Sequence, residues 1–154
     1  MSLPALEQYL REFRAPFSTL SHASAYRASE VAARAGVPCR QMAKPVLVKV
    51  DGALAMAVVP ADARVDLPRL REITDAGSVV LATEADFQDR FPECELGAMP
   101  PFGNLYGMAL YVDRQLAEDG SLCFNAGSHT ELLRMRYVDF ERLANPCVAD
   151  LAQH

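Results

Sequence analysis

The 154-residue chain has no tryptophan, two lysines and no close pair of cysteines. Zinc sites and redox dithiols are built on closely spaced ligands, yet Cys39, Cys94, Cys123 and Cys147 stand far apart with no C-x-x-C among them. Structural disulfides need an oxidising compartment, and nothing in the sequence points to export. The four are therefore expected as reduced thiols that pack as small hydrophobes. No apolar run approaches the roughly 18 residues that a membrane-spanning helix needs. Met1 to Leu10 lacks a basic leader followed by an apolar stretch, so no secretory signal is expected, and a cytoplasmic location is. Positive charge is also short, with a formal net charge of −5 and a pI of about 5.2. A basic coat wrapping DNA or RNA is excluded, because phosphate neutralisation takes clustered Lys and Arg. A local patch around one phosphate or one nucleotide end is not. Three signatures are missing as well. Without G-x-S-x-G a serine triad lacks its marker, and without G-x-G-x-x-G or a Walker pattern nucleotide cofactors have no support.

What is present is globular: 51% apolar and 23% charged residues, in a length that suits a single domain over 1–154. Such a chain buries roughly 68–70% of its unfolded surface and needs no staples. No linker, low-complexity stretch or internal repeat divides it. Helical spacing runs from Pro4 to Arg14, with Leu6, Tyr9, Leu10 and Phe13 on one stripe. Ser29 to Gly36 reads as a short helix with Ser29 as cap and Gly36 as stop. Asp66-Leu67-Pro68 opens a third helix to Asp75, Thr83 to Arg90 makes a fourth, and Asp139 to Ala144 begins a last one that Pro146 bends. Strands are expected at Val46–Val50, Leu54–Val59, Val79–Ala82, Leu105–Val112, Leu122–Phe124 and Arg134–Val138. Asp51-Gly52 between the first two is a hairpin signal. The order is not regular βαβ alternation, so the expected class is α+β with a mixed sheet or partial barrel.

Three segments can carry chemistry. In Ala43-Lys44-Pro45-Val46, proline keeps Lys44 out of the helical region and sets it at the mouth of a strand. Period-two counting puts Lys44 on the face of Val46, Val48 and Val50. It is either an ammonium at a pocket rim or a strand-end lysine snorkelling into water. Gly97-Ala98-Met99-Pro100-Pro101-Phe102-Gly103-Asn104 is a stiff loop with exposed backbone N–H groups, able to hold an oxyanion or water, or else a plain connection. In Asn125-Ala126-Gly127-Ser128-His129-Thr130, Gly127 permits close backbone approach and His129 can orient substrate or act as acid or base. Ser128 and Glu131 also fit a capping box that would merely start a helical turn. Glu93 and Glu95 beside Cys94 read as a solvated turn.

With these segments in this order the chain resembles the YbaK/prolyl-tRNA-synthetase-associated editing domain family. The likeness runs from about His22 to Pro146. It rests on His22 with Ala28-Ser29-Glu30-Val31-Ala32, on Ala43-Lys44, on Ala57-Val58-Val59-Pro60, on Gly97 to Gly103, on Phe124-Asn125-Ala126-Gly127-Ser128-His129, and on Met135 to Phe140. The resemblance implies a mixed, barrel-like sheet flanked by helices, and hydrolysis of the ester in mischarged aminoacyl-tRNA without metal or other cofactor. It implies that Lys44 holds the phosphate or terminal ribose of the acceptor end. The Gly97–Pro101 backbone would position the aminoacyl group and water, and His129 would stand beside the aminoacyl pocket. Gly97, Lys44 and His129 are then the catalytic candidates. Met99, Pro100, Pro101, Phe102, Gly127 and Ser128 are the substrate-binding candidates, with Met99, Phe102 and Met108 as pocket walls. The implied partner is a mischarged tRNA, with an aminoacyl-tRNA synthetase as an open second; DNA and membranes are not among them. Alanine on proline tRNA is the leading substrate because His129 is present, with cysteine or serine/threonine editing open. A non-catalytic module that binds acceptor ends or a synthetase is the alternative, and a cysteine-based acyl hydrolase a third, disfavoured because no Cys lies in the three segments.

Overall fold

The computed structural model describes residues 3–154; Met1 and Ser2, which belong to the expected 1–154 domain and to the stretch read for a leader, lie outside the described residues. Alternation of side chains makes the centre. Strands β2 (Ala43–Val50) and β3 (Ala53–Pro60) form an antiparallel hairpin in register Val50 to Ala53. Its turn is Asp51-Gly52, both at positive φ (48° and 84°), which is the backbone that a two-residue hairpin of this hand requires. The Asp51 carboxylate also accepts the N–H groups of Gly77 and Ser78 at 2.9–3.3 Å, so the same turn anchors the approach to the next strand.

Along β3, Met56 and Val58 point to one face and Ala55, Ala57 and Val59 to the other. Both faces are covered, which explains why the strand reads as a continuous apolar run. Three further strands complete a mixed five-stranded sheet in the order β5-β2-β3-β6-β9. Here β5 is Val79–Leu81, β6 is Ala109–Asp113 and β9 is Cys147–Ala149. The β3–β6 and β6–β9 pairs are parallel. One face is covered by helix α3 (Leu67–Thr74), through Leu70, and by Leu151 of the tail. Asp66 caps α3 by accepting the Arg69 N–H at 3.2 Å, as the Asp-x-Pro start predicts.

The other face looks onto the largest core. Across it stands an antiparallel sheet of β1 (Phe17–Ser21), β8 (Glu131–Arg136) and β7 (Ser121–Asn125), in that order. Helices α1 (Leu3–Glu12) and α6 (Tyr137–Ala144) close this core, with Phe102, Phe124 and Phe140 packed ring edge to ring face at 5.2 and 5.7 Å. Leu122 and Phe124 enter it, whereas Cys123 turns to a second core beneath helix α2 (Ala28–Ala35). A bridge from Met42 to Cys123 joins the two sheets. The fold is α+β with a mixed sheet flanked by helices, as expected.

Several local expectations are corrected. Helix α2 starts at Ala28 after an extended Arg27 (φ −88°, ψ 136°), so Ser29 lies inside the first turn and caps nothing. The Ser128/Glu131 capping box starts no helix, because Glu131 opens β8 and pairing with β1 and β7 prevails. Gly103–Tyr106 is a 3₁₀ turn closed by Gly107 at φ 70°, so the strand expected from Leu105 begins only at Ala109. The strand expected over Arg134–Val138 ends at Arg136, and Tyr137 already begins α6; Asn145 ends that helix before Pro146 is reached. The fourth helix shrinks to α4 (Glu84–Phe87), with Thr83 and Asp86 in a capping box. Strands β1, β4 (Arg64–Val65), β9 and β10 (Ala152–Gln153) and helix α5 (Arg114–Glu118) come in addition to the elements expected from the sequence. Asp113 compensates for the shortness of the last elements. Its buried carboxylate caps α5 through the Gln115 N–H and accepts the N–H groups of Leu151 and Ala152 at 3.0 and 3.1 Å.

Candidate functional site

Backbone hydrogen bonds draw the distant segments together. The N–H groups of His22 and Ala25 donate to the carbonyls of Thr130 and His129, which lays the chain before α2 against the loop after β7. Glu95 N–H donates to Gly127 O, and Gly127 N–H donates to Ala98 O, both within 2.9 Å, which fastens the glycine–proline loop to the same place. Beside this junction opens a cleft of about 540 Å³. Its walls are Tyr26, Arg27, Ala28 and Ser29 at the start of α2, Ala43 to Pro45 at the mouth of β2, Ala61 to Arg64 after β3, Gly97, and Asn125 at the end of β7.

Lys44 falls on the valine face, as period-two counting expects, and its ammonium reaches the cleft, where it donates to the carbonyl of Ala63. Burial pushes its pKa below the ordinary lysine value; the Asp62 carboxylate works against that and the Arg64 guanidinium with it. Lys49, the other lysine, has an ordinary structural role and pairs with Asp86 at 3.4 Å, linking β2 to α4.

Gly97 has φ 86°, a conformation that glycine adopts without penalty. Its N–H rests on the thioether sulfur of Met99 at 3.2 Å, a weak acceptor that a stronger one readily displaces. His129 packs behind it. A Cβ on Gly97 would touch His129 Cε1 at 3.5 Å, and the Tyr26 ring lies 4.6 Å from the imidazole. His129 is 6% exposed. Its Nε2 lies 2.8 Å from the Leu96 carbonyl, which can only accept, so Nε2–H donates there. Its backbone N–H donates to the Glu95 carboxylate at 3.1 Å, so Glu95 has a definite partner. Nδ1 is buried without a partner.

The remaining candidates lie elsewhere. Met99, Phe102 and Met108 belong to the main core, and Pro100 and Pro101 are buried; none lines the cleft. Gly127 and Ser128 line a different, shallower depression beside Glu93, Cys94 and Glu95. None of the four cysteines lines the cleft. Sequence reasoning does not single out Tyr26, Arg27, Asp62, Arg64 or Asn125. Asn125 stands inside a quoted segment, and an arginine rather than a capping residue ahead of α2 is the signal available for Arg27.

Among the described residues no helix is long and apolar enough to cross a membrane. No curated protein matches the chain. Solved structures do. A crystal structure of a hypothetical protein superposes with a TM-score of 0.85 at 21% identity, covering 96% of this chain and 99% of that one. A protein proposed as a trans-editing enzyme for prolyl tRNA synthetase superposes at 0.83 and 20% identity, covering 99% and 97%. A proposed signal transduction protein from Marinobacter aquaeolei VT8 gives 0.77 at 20%, with 98% of this chain matched to 31% of that longer one. At such identities the likeness establishes the fold. The family is established separately, because the aminoacyl-tRNA editing domain profile matches residues 22–143. That span holds every wall of the cleft, and this chain belongs to the aminoacyl-tRNA editing domain family.

Proposed function

We propose that this protein acts in the cytoplasm as a trans-editing deacylase, hydrolysing the ester of mischarged aminoacyl-tRNA, with alanine on proline tRNA as the substrate. The observation that carries this reading is the convergence of Lys44 and Gly97 on one cleft, with His129 packed against Gly97. An aminoacyl ester is already activated, so holding it and a water in place and stabilising the oxyanion suffices, without a side-chain nucleophile. Lys44 binds the acceptor end. The Gly97 N–H leaves the Met99 sulfur for the ester carbonyl oxygen as that oxygen gains charge. Water oxygen bonds to the ester carbon and the bond to the ribose oxygen breaks. The adjacent ribose hydroxyl relays the proton to the leaving oxygen. His129, tied through Nε2 to Leu96 and packed behind Gly97, holds the Gly97 backbone toward the aminoacyl group rather than taking a proton at that nitrogen. Exclusion of the larger, correct amino acid rests on size, for which one methylene gives about 10–200-fold. An acidic protein that grips only the end of a tRNA leaves recognition of the tRNA body to a partner, and prolyl-tRNA synthetase fits that part.

The test is release of amino acid from proline tRNA charged in turn with alanine, cysteine, serine and proline. Rapid release of alanine with proline retained is expected. Release of cysteine or serine instead would reassign the substrate, and binding without any release would replace hydrolysis by an acceptor-end binding role.

A further inference from the structure

The cleft carries more positive charge than one lysine. Arg27 and Arg64 line it with Lys44, against a single carboxylate, Asp62, in a chain of net charge −5. Neither guanidinium has an ion-pair or hydrogen-bond partner among the described residues, and both residues are exposed. Arg11, Arg40, Arg69, Arg114, Arg136 and Arg142 each pair with a carboxylate, and of the arginines left open among the described residues only Arg27 and Arg64 share the cleft. Helix α2, eight residues long, aims its first turn into the same space, and no side chain caps it. Open first-turn N–H groups carry partial positive charge that suits an anion. A separate observation says that something with donors comes too. Asn125 is 5% exposed, lines the cleft, and its Oδ1 has no hydrogen-bond partner. A buried amide oxygen left unpaired costs about 1–3 kcal/mol, so it is matched to a donor that arrives with the ligand. Anion at the rim and hydroxyl donors within describe a nucleotide.

We propose that Arg27, Arg64 and the open first turn of α2 form a clamp for the phosphodiester linking the last two nucleotides of the acceptor end. Lys44, committed to the Ala63 carbonyl and half-buried, is thereby left for the terminal ribose and its ester. Asn125 takes a ribose hydroxyl. This inference rests on the acceptor-end reading above and refines it: the phosphate grip is separate from the lysine.

Two alanyl esters separate the parts: one on adenosine, which has no phosphate, and one on cytidylyl-(3′→5′)-adenosine, which has the one phosphate at issue. On the dinucleotide ester, Arg27→Ala and Arg64→Ala are each expected to raise KM about tenfold with kcat nearly unchanged, the scale of one charge-assisted contact. On the adenosine ester both variants match the wild type. Arg34→Ala, in the last turn of α2 and outside the cleft, changes neither. Variants that match the wild type on the dinucleotide, or lose equally on both esters, overturn the clamp. If the wild type hydrolyses neither ester, the deacylase reading fails. The clamp is then judged by calorimetric binding of uncharged dinucleotide: about tenfold weaker binding by both variants supports it, and unchanged binding overturns it.

Discussion

Gly97 is where one atom decides most. Alanine there has room, since its Cβ would make only an ordinary contact with the His129 ring, but φ 86° is strained for any side chain. Gly97→Ala is expected to cost about 1 kcal/mol in folding. It turns the N–H away from the ester, so deacylation falls further than stability, by at least about tenfold if one oxyanion donor is lost. Paired melting and turnover measurements check both. Phe102 predicts the opposite. It is fully buried among Tyr9, Phe124 and Phe140 and away from the cleft, so Phe102→Leu is expected to lower the melting temperature by several degrees while leaving amino-acid preference intact. A changed preference would restore Phe102 to the pocket wall. Lys44, Gly97 and His129 were legible as candidates because proline, glycine and a loop histidine each constrain their own neighbourhood. Arg27 and Arg64 were not, because an exposed arginine looks like any other until the fold sets it beside a second one, and Asn125 was not, because its oxygen is left without a partner only once the fold buries it.

At the scale of elements, the hairpin and α3 were readable because their ends carry their own chemistry, Asp51-Gly52 and Asp66-x-Pro68. Strand β1 was not: its residues are mostly exposed or half-exposed, and pairing with β8, more than a hundred residues away, makes it a strand. The turn from β8 into α6 shows how such long-range elements are held. Arg136 at 2.8 Å, with burial opposing and Arg142 assisting, holds the Asp139 carboxyl below the ordinary carboxylate value. A carboxylate depressed in the folded state contributes stability that is present above its unfolded pKa of about 3.9 and is lost as pH falls through the folded value. Asp139→Asn is therefore expected to destabilise at neutral pH and to flatten the decline below about pH 4. Urea unfolding across about pH 2.5–7 would show this (a range set around that carboxylate value); parallel curves for the two proteins would reject it.

For the whole molecule, the five-stranded and three-stranded sheets and the cores between and around them bring the ends of β2 and β7, the start of α2 and the glycine–proline loop to one cleft. The fold class was legible from the irregular order of helices and strands. The cleft was not, because its walls come from five places in the chain and meet only after both sheets have formed. Strand β2 itself supplies the sharpest comparison, since it carries both lysines of the protein, one in the cleft and one paired with Asp86. The decisive measurement is the single-turnover rate of alanine release from alanyl-proline tRNA by the wild type, Lys44→Ala and Lys49→Ala. A fall of about a hundredfold or more in Lys44→Ala, with Lys49→Ala close to wild type, is the expected result for a charged group that touches the acceptor end. Equal rates in all three proteins would contradict the assignment of hydrolysis to this cleft.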